Sequence, residues 1–144
     1  MLRFLSSWGP LLLWACLIFV ASSLPGDALP AFGLFRADLL AHLLIYAVFA
    51  GALSRALRLD GRIPLSSGGR AAAVLALTVC YGMSDEAHQA FVPGREPSFA
   101  DLAADGAGAL LFLAVDALRA RWGRAGGAGN PHRREERPPK RDGG

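Results

Sequence analysis

The stretch FLSSWGPLLLWACLIFVASS, residues 4–23, decides the class of this protein, because it carries no charged side chain. A helix rises about 1.5 Å per residue, so one of this length crosses a hydrocarbon core of roughly 30 Å. The sequence LPG and a second apolar block follow closely. We therefore interpret the stretch as a retained membrane helix, although its end, VASS, also resembles the cleavage site of a signal peptide.

Three more apolar stretches follow, in a chain that is 53% hydrophobic and only 19% charged. Together the four predict an all-α fold, a four-helix transmembrane bundle with short loops. The expected spans are residues 4–23, 37–54, 70–90 and 99–118. We expect residues 1–122 to form the membrane domain. Residues 123–144 are rich in Gly, Pro and charge and predict a disordered basic tail.

The net charge of +3 comes entirely from residues 123–144. The rest of the chain therefore has no excess of basic residues with which to bind nucleic acid. The two cysteines, Cys16 and Cys80, lie in apolar runs, which argues against a disulfide scaffold and against a thiolate metal site. We expect membrane lipids as partners and no nucleic acid, and the sequence leaves the oligomeric state open.

The positions of arginine and lysine predict the orientation, since short cytoplasmic loops retain positive charge. With four spans, only Arg36 and Arg95 of the 15 Lys and Arg residues fall on the outer side. We predict a multi-pass protein of the inner (plasma) membrane. Both termini and a loop at residues 57–70 would lie in the cytoplasm.

Polar side chains collect at the predicted outer ends of the spans. Asp38, His42 and Tyr46 recur at i, i+4 spacing on span 2, and Asp101 and Asp105 do so on span 4. Ionisable residues are energetically unfavourable in contact with lipid, so they face the bundle interior. There they mark a functional site or form hydrogen bonds that hold the helices together. We expect four residues to meet in one outer cleft: His42, Glu86, Arg95 and Asp101.

The segment SDEAHQAFVPGREPSFADLAADGAGALL, residues 84–111, resembles the signature of the VanZ-like family of small membrane proteins. The shared features are Asp-Glu-x-x-Gln, a Pro-Gly-Arg turn, and an Asp before a Gly-containing last helix. SSLPG (22–26) and DLLAHLLIYAVFAGAL (38–53) resemble the family's other two blocks, so the resemblance covers about residues 8–118. Asp105 stands where we expect Asn, and Phe112 replaces a second Gly. The residues matched by motif are Ser22, Asp38, His42, Tyr46, Asp85, Glu86, Gln89, Arg95, Asp101 and Gly108.

The resemblance implies a role in the cell envelope, since the family is named for low-level resistance to the glycopeptide teicoplanin. Two hypotheses remain open. In the first, the protein is an enzyme acting at the outer leaflet on a lipid-linked or envelope substrate. In the second, it binds a glycopeptide or a lipid head group, or organises the envelope, without catalysis. The sequence does not decide whether the protein is an enzyme.

The enzyme hypothesis assigns roles by side-chain chemistry. Asp85 or Glu86 would be the general base, His42 or His88 a proton carrier or metal ligand, and Arg95 an anchor for phosphate or carboxylate. Asp85 and Glu86 lie about 100° apart on a helix, so only one can face a given centre, and we expect Glu86 and Gln89 to share a face. The candidate catalytic residues are His42, Asp85, Glu86, Arg95 and Asp101. The candidate substrate-binding residues are Asp38, Gln89, Asp105 and Tyr46.

The sequence identifies no cofactor, and we assign no metal ligand from it. There is no HExxH motif. The like charges of Asp101 and Asp105 would repel each other at i, i+4 spacing. A shared divalent cation such as Zn, Mn, Mg or Ca would offset this repulsion.

Overall fold

The computed structural model describes residues 2–26 and 37–127, and these residues form four α-helices joined by turns and loops. Helix α1 spans Leu2–Ser22, α2 Ala37–Asp60, α3 Ser67–Gln89 and α4 Phe99–Gly127. The prediction of an all-α fold with four helices is confirmed. Expectations that concern Arg36 and residues 128–144 lie outside the described residues.

Helices α2 and α3 are longer than predicted, so the expected loop at residues 57–70 is reduced to residues 61–66. Gly61 ends α2 with a φ of 65°, a conformation that glycine adopts without strain. The Ser66 hydroxyl then caps α3 by accepting a hydrogen bond from the Gly69 N–H at 3.1 Å. Helix α4 likewise continues past residue 118 to Gly127, into the stretch for which the sequence predicted disorder.

Contacts between helix ends give the bundle two distinct ends. At the basic end, residues 55–70, the Trp8 indole N–H donates to Asp60 Oδ2 at 3.1 Å, which joins the start of α1 to the end of α2. At the acidic end, residues 38–42 and 85–105, the Gly26 N–H donates to the Pro93 carbonyl at 3.2 Å. The end of α1 therefore meets the loop between α3 and α4, and successive helices run in opposite directions.

Small residues set the spacing of α4 against α2 and α3. A Cβ on Gly108 would collide with the backbone of α2 at Leu43 and Ala47, so these two helices approach closely. Gly106 faces α3, where a Cβ would lie 3.7 Å from Val79. Close packing of this kind holds the acidic side chains of three helices at fixed separations.

The surface is apolar and the interior holds polar groups. Large hydrophobic side chains are exposed on every helix, among them Leu13 (63%), Leu44 (52%), Leu77 (49%) and Leu110 (54%). The buried polar or charged residues are Ser7, Ser22, Ser54, Thr78, Asp85, Glu86, Gln89 and Asp105. Of the described helices, α1 and α2 are long and apolar enough to cross a membrane, at Phe4–Ser22 and Asp38–Asp60. Helices α3 and α4 are less apolar, and α4 carries six Asp and Arg residues.

The chain divides into two compact units, Met1–Ala114 and Val115–Gly144. The first contains α1, α2, α3 and the part of α4 that bears Asp101 and Asp105. In the second, the described residues from Val115 to Gly127 are helical, and most of them are exposed to their surroundings.

Candidate functional site

A histidine and an aspartate form the centre of the acidic end. His42 lies on the second turn of α2, and Asp105 on the second turn of α4. Their side chains are joined by a hydrogen bond of 2.9 Å between Nδ1 and Oδ1. Asp105 is completely buried, and the side chain of His42 is 17% exposed. The sequence alone allows His42 to bond either Asp38 or Asp105, and in the structure it bonds Asp105.

Glu86 brings a second carboxylate to this pair from the last turn of α3. One ring nitrogen of His42 and one carboxylate oxygen each of Glu86 and Asp105 lie within 4.8 Å of one another. Glu86 Oε2 accepts a hydrogen bond from the Ser98 N–H at 2.7 Å, which fixes the side chain to the loop before α4. We call His42, Glu86 and Asp105 the acidic triad.

Two oxygen atoms of the acidic triad are buried without a hydrogen-bond partner among the described residues, Glu86 Oε1 and Asp105 Oδ2. The hydroxyls of Tyr46 and Thr78 are in the same condition. Buried polar atoms are nearly always paired, and an unpaired one costs about 1–3 kcal/mol, more for a charged group. These buried oxygen atoms can therefore make hydrogen bonds that no described protein group supplies.

The backbone of α3 makes room for Asp105 at one position. A Cβ on Gly82 would lie 2.6 Å from Asp105 Oδ2 and 3.2 Å from Leu102 Cδ1. Glycine at this position therefore lets the carboxylate lie directly against α3. Motif reasoning passed over Gly82, because nothing in a single sequence distinguishes a glycine that accommodates a side chain from one that merely occurs in a helix.

A cavity of about 500 Å³ lies beside the acidic triad. The polar residues that line it come from the ends of α1, α2 and α3 and from the loop after α3. The apolar residues that line it include Ile18, Leu40 and Leu44. Asp85 is held there by the Gln89 amide, which donates to Oδ2 at 3.3 Å. The polar residues that line the cavity are Ser22, Asp38, His42, Tyr46, Asp85, Gln89 and Arg95.

Asp85 and Glu86 point to different places, as their separation on the helix predicted. Asp85 lines the cavity, whereas Glu86 belongs to the acidic triad. Gln89, expected on the face of Glu86, is bonded to Asp85 one helical turn away and lines the cavity with it.

Arg95 and Asp101 lie close to the acidic triad without joining it. The Arg95 guanidinium lines the cavity and donates to the carbonyls of Ala21 and Leu24, each at 3.3 Å. These carbonyls belong to the last turn of α1 and the residues after it, where helical partners run out. Asp101 interacts electrostatically with all three members of the acidic triad. His88 lies elsewhere, with its Nε2 3.0 Å from the Ser23 hydroxyl.

Ser98 is a further residue that the sequence did not reveal. It acts through its backbone N–H on Glu86, and its hydroxyl accepts a hydrogen bond from the Asp101 N–H at 3.3 Å. Because this contact with Glu86 is made by a backbone amide, the type of side chain at residue 98 does not reveal it. The one available signal is the position of Ser98 just before α4, where serine commonly caps a helix.

The sequence profile of the VanZ/LLP1 family matches residues 7–118 of the chain. The matched range includes the acidic triad and every residue of the cavity wall. No curated protein and no solved structure matches the chain.

Proposed function

Because the chain belongs to the VanZ/LLP1 family, we propose that it is a four-span membrane protein of the cell envelope that binds an amphipathic envelope ligand at its acidic end. The ligand would be a lipid-linked envelope precursor or a lipid head group. The observation that carries this proposal is the cavity, whose lining combines polar and charged groups with leucines.

The distribution of exposed side chains supports four spans. Helices α3 and α4 expose Leu77, Met83, Leu110 and Leu111 while Asp85, Glu86, Gln89 and Asp105 are buried. A soluble protein would place these groups the other way round, whereas lipid favours apolar side chains outside and polar ones shared inside. The excess of arginine and lysine at the basic end supports a cytoplasmic location for that end and for both termini. Residues 123–144 stay proposed as a cytoplasmic tail.

The topology is tested by cysteine labelling in intact cells. In a background with Cys16 and Cys80 changed to Ala, a cysteine at Glu96, in the loop before α4, should react with a membrane-impermeant reagent. A cysteine at Ile63, between α2 and α3, should react only after the membrane is opened. Both residues are exposed, so accessibility within the fold is matched. The reverse pattern of labelling would overturn the orientation.

The cavity fits a ligand with a polar head and an apolar chain. Leu40 and Leu44 are 57% and 52% exposed, so one wall of the cavity continues onto the apolar surface of α2. An acyl or polyprenyl chain would lie along these leucines. The head group would meet Asp85, Gln89 and Arg95, which offer both hydrogen-bond acceptors and a guanidinium suited to phosphate.

Binding is tested with a polyprenyl diphosphate probe and the full-length protein in detergent, followed by native mass spectrometry. The wild type and an Asp60→Asn variant at the basic end should retain the probe. Gln89→Leu should lose at least tenfold in affinity, because the cavity then lacks one of its few polar groups. Equal retention by all three proteins, or none by the wild type, would contradict the proposal.

Reduced susceptibility to teicoplanin-type glycopeptides is part of this proposal, as the consequence of engaging an envelope precursor. Expression of the wild type in a susceptible host should raise the inhibitory concentration of teicoplanin. Gln89→Leu, accumulated to the same level in the membrane, should not raise it. A rise that is equal for both proteins would separate resistance from the cavity.

The His42–Asp105 pair favours catalysis on the bound ligand as a second candidate function. A carboxylate hydrogen-bonded to one imidazole nitrogen orients the ring and leaves the other nitrogen available to move a proton, and His42 lines the cavity. An enzyme should lose its phenotype abruptly when one carboxylate of the triad becomes an amide. A protein that only binds the ligand should instead change its affinity in small steps as acids are removed, including the exposed Asp38.

A further inference from the structure

We propose that the acidic triad is a binding site for one divalent transition-metal cation of the Zn²⁺ or Mn²⁺ type, with His42, Glu86 and Asp105 as its protein ligands. Each ligand comes from a different helix, α2, α3 and α4. The site is separate from the proposed ligand cavity except at His42, which lines both. Cation binding by the triad does not depend on the identity of any envelope ligand.

The first argument is geometric. Around a cation with bonds of about 2.1 Å, neighbouring ligand atoms lie about 3.0–3.4 Å apart. One ligand atom each of His42, Glu86 and Asp105 lies within 4.8 Å of the other two, so no pair has to close by more than about 2 Å around a bound cation.

The second argument is the burial of carboxylate oxygens without partners. Asp105 is 0% exposed and Glu86 is 7% exposed, and each has one oxygen that no described group satisfies. The other oxygen of each carboxylate is held by His42 or by Ser98. Such an arrangement orients the two carboxylates while leaving Glu86 Oε1 and Asp105 Oδ2 for another partner. Metal-binding carboxylates are commonly oriented in this way by a hydrogen bond to a second oxygen.

The third argument is charge. The triad places two carboxylates against one imidazole, and Asp101 interacts electrostatically with the same group. Arg95, the nearest arginine in sequence, directs its described hydrogen bonds to the carbonyls of Ala21 and Leu24. A divalent cation would neutralise the carboxylates from within the cluster. Buried charges are normally paired or coordinated to a metal.

The donor set indicates the class of metal. One imidazole and two carboxylates suit Zn²⁺ or Mn²⁺, whereas Mg²⁺ and Ca²⁺ prefer oxygen ligands alone. Both cysteines are exposed and neither belongs to the triad, so no thiolate takes part. Three protein ligands leave a coordination position for water or for a substrate oxygen, which is the arrangement of catalytic rather than structural zinc sites.

The site is tested by metal titration of the full-length, tag-free protein in detergent after removal of metals with a chelator. The wild type should bind about one Zn²⁺ per chain, as measured by calorimetry and elemental analysis. Glu86→Gln and His42→Gln should each weaken binding by roughly 100-fold or more, because each removes a direct ligand. The matched controls are Glu96→Gln, an exposed carboxylate outside both the triad and the cavity lining, and His88→Gln, a histidine bonded to Ser23.

The controls should retain the wild-type affinity for Zn²⁺. Absence of binding by the wild type would overturn the site, as would equal losses in Glu96→Gln and Glu86→Gln. Displacement of Zn²⁺ by millimolar Ca²⁺ would overturn the assignment to transition metals. Loss of metal binding without loss of the polyprenyl probe would leave the cavity proposal intact, so the two proposals fail separately.

X-ray absorption of the Zn²⁺-loaded wild type provides a test that requires no variant to fold. The expected spectrum has only nitrogen and oxygen ligands at about 2.0–2.1 Å, with the multiple scattering of one imidazole. A sulfur shell at about 2.3 Å would place the metal at a cysteine. That spectrum, or one without imidazole, would contradict the proposed ligands.

Discussion

The two ends of the bundle handle charge in opposite ways. At the basic end, Asp60 accepts a hydrogen bond from Trp8 and pairs with Arg62 at 3.3 Å, and Arg62 is 72% exposed. The Arg55 guanidinium donates to the carbonyls of Ser6 and Ser7. These contacts join helix ends and remain accessible to solvent or head groups, where an ion pair contributes little to stability.

At the acidic end, charged groups are buried and incompletely paired. Glu86 and Asp105 each keep one buried oxygen without a partner among the described residues. A group in this position destabilises the fold unless something else satisfies it. The comparison shows that the basic end joins helix ends through accessible contacts, whereas the acidic end buries carboxylate oxygens that no described group satisfies.

The largest expected effect comes from converting one carboxylate into its amide at each end. Glu86→Gln at the acidic end should abolish the resistance phenotype, because the amide cannot supply the carboxylate that a base or a metal ligand requires. Asp60→Asn at the basic end should leave the phenotype unchanged. Inhibitory concentrations and immunoblots of membrane fractions measure activity and protein amount for both variants.

The amount of each protein in the membrane should stay within about twofold of the wild type, since an amide has nearly the same shape as a carboxylate. If Glu86→Gln inserts poorly or is degraded, the acidic triad is structural glue and the contrast between the two ends disappears. If Asp60→Asn also loses the phenotype, the function is not confined to the acidic end.

A smaller effect is expected from crowding the acidic triad without removing any of its groups. Gly82→Ala should reduce the phenotype about tenfold, because its Cβ would lie 2.6 Å from Asp105 Oδ2 and the carboxylate must move. Gly106→Ala is the matched control, since its Cβ would make an ordinary contact of 3.7 Å with Val79. Both changes favour helix formation by about 1 kcal/mol, so propensity cancels in the comparison.

Dose-response curves for the two glycine variants, normalised to protein amount, give the measurement. Equal activity of Gly82→Ala and the wild type would mean that the position of Asp105 is unimportant. A similar loss in Gly106→Ala would assign the effect to helix spacing.

Much of the fold followed from the sequence, because hydrophobicity and turn residues act locally. The four helices were predictable from apolar stretches. The errors in their predicted bounds lie at helix ends that single residues cap, such as Gly61 and Ser66. The gathering of polar residues at one end followed from their i, i+4 spacing. Partners were harder, since both Asp38 and Asp105 suited His42, and only the close packing of α2 on α4 at Gly108 decides between them.

Arg95 shows the limit of reasoning from residue type. An arginine in an acidic neighbourhood suggests an anchor for phosphate or carboxylate, and the structure adds hydrogen bonds to carbonyls at the end of α1 that its residue type did not indicate. Backbone carbonyls near a helix terminus attract cationic side chains whatever the sequence around them. A sequence records which side chains are present and does not record how backbone groups from distant segments compete for them.

The smallest expected effect concerns the hydrogen bond that joins α1 to α2 at the basic end. Asp60→Ala removes the acceptor of the Trp8 indole N–H and should lower the free energy of unfolding by about 1 kcal/mol, the usual net value of one such bond. Asp60→Asn keeps an oxygen at the same place and loses only the exposed pair with Arg62, so it should change stability by less than about 0.5 kcal/mol. Thermal unfolding in detergent, followed by circular dichroism, measures both variants, and the probe affinity of both should equal that of the wild type. A larger loss in Asp60→Asn than in Asp60→Ala would show that charge, not the indole hydrogen bond, holds this end together. The contrast between a basic end that joins helices and an acidic end with buried carboxylates would then need a different physical basis.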